Sequence, residues 1–174
     1  MIELNNVTVG KGRFCLAGLN LRLETGQYGV LTGPSGAGKT TILESICGLN
    51  RIREGNLTVD NVDITTLPIA LRGIGFVPQD AALFPEMNVE KQIGFGLQLR
   101  RADKAGQQKR VDTLCDLLQI ANLRKRLPCQ LSGGEQQRVA IARALAFQAK
   151  LPFVVAMNRF RLRLERKGCH RTSP

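Results

Sequence analysis

The sequence predicts an α/β fold with a small antiparallel β region and a helical insert, and three observations carry that expectation. Val7 and Val9, then Leu19, Leu21 and Leu23, alternate with polar or small residues, the pattern of half-buried antiparallel strands. The apolar run 28–32 leads straight into a glycine-rich loop and an apolar-faced helix, the order expected of a buried central strand. From residue 89 to about 127 the pattern turns helical and charged, with Val111, Leu114, Leu117 and Leu118 at helical spacing.

The remaining elements follow in order. Residues 2–9 read as a strand at the very start. Residues 40–49 form a helix with Ile42, Leu43 and Ile46 on one face and Gly48 at its end. Segments 57–59 and 62–64 flank Asp60-Asn61, a hairpin turn. Residues 74–77 make another buried strand, stopped by Pro78. A second strong helix covers 134–147 with Val139, Ala142 and Leu145 inward, and the apolar run 151–156 is a further strand.

At 174 residues and 43% hydrophobic the chain is expected to be one globular domain with a real core. It shows neither a bilayer-length apolar run nor a charged-then-apolar leader, which predicts a cytoplasmic protein. Cys15, Cys47, Cys115, Cys129 and Cys169 form no C-x-x-C pair, so they read as reduced, buried or half-buried thiols. The net charge of +11 is concentrated in residues 150–174, where seven Lys and Arg face the single acid Glu165. The other 149 residues carry only +5, so no nucleic-acid partner is expected.

Three motifs carry chemistry. Residues 33–40 read Gly-Pro-Ser-Gly-Ala-Gly-Lys-Thr, the G-x-x-x-x-G-K-[ST] form of a phosphate-binding loop. Gly33, Gly36 and Gly38 let the backbone approach a polyphosphate closely, with Pro34, Ser35 and Ala37 completing the nucleotide-binding loop, and the following helix adds the positive end of its dipole. Lys39 is assigned to bridge the β- and γ-phosphates and the Thr40 hydroxyl to hold Mg²⁺, with Thr41 as a neighbouring hydroxyl. Gln79, at the end of the strand 74–78, offers a side-chain carbonyl to Mg²⁺ and an attacking water. Leu131-Ser132-Gly133-Gly134-Glu135 opens a helix: Ser132, Gly133 and Gly134 supply a second anion site. Ser132 with Glu135 three residues on also fits a capping box, and both can hold at once.

These motifs in this order, with the run Gln136-Gln137-Arg138-Val139-Ala140-Ile141-Ala142-Arg143-Ala144-Leu145, resemble the ATPase subunit of ATP-binding-cassette transporters. The stretch 75–89 resembles the importer branch for molybdate, tungstate, sulfate, iron and polyamines, and the opening nine residues with Gly26-Gln27-Tyr28 lean toward molybdate/tungstate members. The resemblance implies a P-loop NTPase core over residues 1–156, a helical subdomain at about 89–130, and ATP and Mg²⁺ as cofactors. It implies a homodimer or paired ATPase subunits set head to tail, so that 132–135 of one subunit meets the partner's nucleotide. It further implies transmembrane permease subunits, an indirect periplasmic or surface solute-binding protein, and a location at the inner face of the membrane. An adenine-stacking aromatic lies near the start of such domains; Phe14 is the nearest candidate and equally a core residue.

The resemblance fails after Ala156. The family places Asp-Glu there, the Asp supporting Mg²⁺ and the Glu polarising the water, whereas this chain reads Met157-Asn158-Arg159-Phe160-Arg161-Leu162. The family's switch histidine is also missing; His170 lies too close to the strand, in an unrelated context. Codons GAT GAA CCG TTT TCG GCT encode Asp-Glu-Pro-Phe-Ser-Ala, and losing one G gives ATG AAC CGT TTT CGG CT, the residues found at 157–162. A one-base frameshift therefore explains the basic tail 157–174; a genuine alternative C-terminus is the other reading. The expected function is the ATP-binding subunit of an oxyanion importer, hydrolysis-deficient as written. A non-hydrolytic nucleotide-binding fragment and a cassette acting on DNA or the ribosome are the alternatives.

Overall fold

The computed structural model describes residues 1–99, 103–147 and 154–156. Strands β1 (Ile2–Lys11), β2 (Phe14–Leu23), β3 (Ile52–Val59) and β4 (Val62–Asp63) form an antiparallel sheet in the order β2-β1-β3-β4. Helix α1 (Lys39–Cys47) packs on this sheet. Strand β5 (Gly75–Val77) leads to α2 (Val89–Leu99), α3 (Lys104–Leu117) and α4 (Gly133–Phe147). The short β6 (Val154–Ala156) pairs parallel with β5, Gly75 opposite Val154 and Val77 opposite Ala156.

Two apolar cores result. One gathers Leu4, Val7, Val9 and Leu57 of the sheet with Ile46 and Cys47 of α1. The other joins Ile93 of α2, Leu114 of α3 and Val139 and Ala142 of α4 around Val77. Strand β5 and the residues after it bridge the phosphate-loop side and the helical side.

Local chemistry explains the turns. Asp60 and Asn61 sit at φ 47° and 65°, the mirror-image turn that matches the twist of the β3–β4 hairpin. Gly48, at φ 88°, ends α1 in a Schellman turn: its N–H donates to Ser45 O and that of Leu49 to Glu44 O. The exposed end of that turn is covered by Arg72, itself 7% exposed. Its guanidinium donates to Ser45 O (2.7 Å), Ile46 O (2.9 Å), Leu67 O (2.8 Å) and Thr65 O (2.8 Å), a cation on the negative end of α1.

Three expectations are corrected. Residues 28–32 are not a buried strand: they belong to no strand or helix, with Tyr28 74% and Val30 73% exposed. A parallel strand is buried only between hydrogen-bonded neighbours, and the only described parallel pair is β5–β6. Leu117 is exposed at the last turn of α3, while Val111, Leu114 and Leu118 are buried. Cys47 and Cys115 are buried as expected, but Cys15, on the solvent face of the edge strand β2, and Cys129, in a surface 3₁₀ turn, are exposed. Cys169, the tail 157–174 and residues 151–153 lie outside the described residues.

Candidate functional site

The loop before α1 rests on glycine's conformational freedom. Gly36 and Gly38 adopt φ 81° and 87°, and no atom lies within 4 Å of where a Cβ on Gly36 would stand. At Gly38 the opposite holds, for a Cβ there would come within 2.7 Å of Phe14 and Leu16. Gly38 is also the N-cap of α1, so the loop ends at a helix N-terminus. The Lys39 side chain turns back over the loop, Nζ donating to Gly33 O (2.8 Å) and Pro34 O (2.6 Å). The Ala37 N–H donates to Pro34 O (3.3 Å) and tightens the same turn.

This arrangement fits a polyphosphate. An ammonium bonded to neutral carbonyls can exchange them for phosphate oxygens at little cost, and the positive helix end lies beside it. Ser35 and Thr40 are exposed on the loop, whereas Thr41 is turned into the protein and only 9% exposed. The Thr40 hydroxyl therefore fits a hard cation at the phosphates better than that of Thr41. Phe14 packs on Gly38 and keeps 36% of its surface open, which makes it the wall of the loop while leaving area for stacking.

Gln79 is exposed just past β5. With Phe76, Pro78, Asp80 and Glu44 of α1 it lines an open surface groove. Its backbone carbonyl accepts a hydrogen bond from Gln137 Nε2 of α4 (2.8 Å).

The start of α4 is a closed capping box. Glu135 Oε2 accepts from the Ser132 N–H (2.7 Å) and hydroxyl (2.8 Å), and the Glu135 N–H points back to Ser132 Oγ (3.4 Å). The Ser132 N–H and then its hydroxyl hold the Glu135 carboxyl below its ordinary pKa. Ser132, Gly133 and Gly134 are exposed. Among the described residues no hydrogen bond or ion pair links 33–41 to 132–135.

Sequence reasoning passed over Gln92, Gln137 and Arg143, which lie inside the helices it identified. Gln92 is fully buried, with Oε1 accepting from the Phe84 N–H and Nε2 donating to Phe84 O. The available signal was placement: Arg143 follows Ala142 and sits four residues after Val139, beside the inward face of α4.

A family model described as ABC transporter matches residues 16–154. The chain is 44% identical over 151 residues to the sulfate/thiosulfate import ATP-binding protein CysA of Nephroselmis olivacea, covering 86% of this chain and 44% of that protein. It is 48% identical over 134 residues to the molybdate/tungstate import ATP-binding protein WtpC of Archaeoglobus fulgidus, covering 76% and 55%. It is 41% identical over 145 residues to the maltose/maltodextrin import ATP-binding protein MalK of Photorhabdus laumondii, covering 83% and 39%. The chain thus spans about half the length of the curated relatives it matches. Among solved structures it resembles the dimeric, post-hydrolysis ATP-binding cassette MJ0796 bound to ADP and Pi. The TM-score is 0.75 at 32% identity, over 90% of this chain and 73% of that one.

Proposed function

The chain belongs to the ABC transporter family, and on that premise we propose that it is the ATP-binding part of an importer's motor subunit. The observation that carries the reading is the loop at 33–38: glycines in left-handed conformations, a helix N-terminus and the Lys39 ammonium converge there. Lys39 neutralises phosphate charge, Thr40 and Gln79 attend Mg²⁺, and Phe14 offers a face to the adenine. Mg²⁺, when bound, supplies charge neutralisation on the phosphates. Ser132, Gly133, Gly134 and Glu135 face the nucleotide of a second cassette set head to tail. The relatives' printed substrates are sulfate/thiosulfate, molybdate/tungstate and maltose/maltodextrin. An oxyanion such as molybdate or tungstate remains our proposal for the transported solute, on the stretch 75–89 for the importer branch and on the opening nine residues with Gly26-Gln27-Tyr28 for the solute. Permease subunits at the inner membrane face, an indirect solute-binding protein and no nucleic acid complete the proposed setting.

One feature of the sequence favours binding without turnover. Met157-Asn158 stand where the family places its Asp-Glu pair, and a one-base frameshift at the Ala156–Met157 boundary accounts for the basic tail. Positioned acid–base groups contribute about 10²–10⁴-fold to such reactions. The purified chain is therefore expected to bind MgATP in calorimetry and release phosphate at background rate. Restoring Asp-Glu-Pro and the reading frame after Ala156 should recover hydrolysis. Brisk phosphate release by the 174-residue chain would overturn the defect, and failure to bind ATP would overturn the assignment itself.

A further inference from the structure

The residues after Gln79 adopt backbone conformations that need outside support. Ala81 and Ala82 lie at φ 61° and 43°, left-handed positions that side-chain-bearing residues adopt only when their surroundings enforce it. The enforcement comes from α4. Arg143 donates from one end of its guanidinium fork to Ala82 O (2.8 Å) and from the other to Ala81 O (3.2 Å). The first end also reaches Gln92 Oε1 (3.4 Å), and the guanidinium carbon stands 5.3 Å from the centre of the Phe84 ring. Gln92 in turn donates to Phe84 O (3.0 Å) and Met87 O (3.3 Å). Six residues before Arg143 on the same helix, Gln137 donates to Gln79 O itself (2.8 Å).

We propose that Gln137 and Arg143 are positioning residues, which fix the backbone of 79–82 so that the Gln79 side chain is aimed at the Mg²⁺ beside the phosphate loop. The proposal rests on the reading of Gln79 as a Mg²⁺- and water-positioning group. Its physical basis is simple. The Gln79 side chain is exposed, and β5 holds the chain only on its N-terminal side. Val77 and Ala81 pack into the core shared with α4, and the two α4 side chains add the hydrogen bonds that fix the peptides between and after them. Because α4 begins at the Ser132 capping box, the Gln137 contact links the helix that carries 132–135 directly to the Gln79 backbone. Arg143 suits this task because it is half-buried on α4 and its planar fork reaches two successive loop carbonyls at once.

The test uses the whole chain and compares ATP affinity in EDTA with affinity in Mg²⁺, alongside amide hydrogen exchange of the ligand-free protein. Gln137→Met keeps the volume and loses the donor; Arg143→Lys keeps the charge and loses the fork. Both should leave affinity in EDTA unchanged and speed exchange at 80–84. Both should also shrink the Mg²⁺-dependent gain about tenfold, as loss of an outer-shell support does. Gln79→Ala must shrink that gain too. If Gln79→Ala does so while Gln137→Met leaves both the gain and the exchange untouched, the inference is wrong and the role of Gln79 stands. If Gln79→Ala itself has no effect on the Mg²⁺ gain, the parent reading and the inference fall together. Gln137→Met decides the matter alone should Arg143→Lys not fold.

Discussion

Two helices of this protein start at glycine-rich, exposed motifs, and their starts are in opposite states. Helix α1 opens from an uncapped loop: Gly38 makes no side-chain cap, and Lys39 is bonded to the loop's own carbonyls. Helix α4 opens from a completed capping box in which the Ser132 hydroxyl is already given to Glu135. Anion binding at the first replaces weak neutral contacts. At the second it must compete with a carboxylate whose pKa is held down by the very groups an incoming phosphate would use. The anchoring differs as well. Nine-residue α1 is fixed at its far end by Arg72, whereas fifteen-residue α4 is tied along its side through Gln136, Gln137 and Arg143. The first start is open as it stands, and the second is closed on itself, which fits our proposal that one receives the chain's own nucleotide and the other meets a partner's.

The largest expected effect separates the two starts. Lys39→Ala should weaken ATP binding roughly 10- to 100-fold, since a hydrogen bond to a charged group contributes about 1.5–3 kcal/mol. Calorimetric titration checks it, and unchanged affinity would show that 33–41 is not the site.

Next in size is the anchor of α1. Arg72→Met removes a donor from the carbonyls of Ile46, Thr65 and Leu67, and from that of Ser45, which keeps the Gly48 N–H, and should cost about 2–3 kcal/mol in urea unfolding. A loss below about 0.5 kcal/mol, the range of ordinary surface changes, would mean that α1 does not depend on this clamp.

The smallest effect concerns the capping box. The lowered carboxyl of Glu135 contributes stability that is fully present above the ordinary glutamate pKa and is lost as pH falls through the lowered value. Glu135→Gln should remove that part of the acid-side slope: the variant is slightly less stable at neutral pH, and the two proteins converge as pH falls through the lowered value. Superimposable pH–stability curves for the two proteins would contradict a closed capping box in solution.

How much of this was legible in the sequence varied with how local the cause was. Gly48, Asp60-Asn61 and the Ser132–Glu135 spacing announce conformations that depend on a few neighbouring residues, and the structure places each as expected. The run 28–32 was misread because burial of a strand depends on partners far away in the chain, which periodicity does not report. Cys15 and Cys129 were misread for a similar reason: residue type gives a habit of burial, not the exposure of one edge strand or one surface turn. For the candidate site, the loop and Gln79 were visible as motifs. The roles of Gln92, Gln137 and Arg143 were not, although the last two stand in the run 136–145 that carries the resemblance, because what they bind is backbone, and any residue supplies a carbonyl.

The most direct measurement is a titration of MgATP into monomeric Ser132→Arg protein, run beside the Lys39→Ala titration. If α1 receives the chain's own nucleotide and α4 faces a partner's, Ser132→Arg binds as tightly as the unaltered chain while Lys39→Ala does not. A loss of monomer affinity in Ser132→Arg as large as that in Lys39→Ala would contradict the assignment of the two helix starts to two different nucleotides.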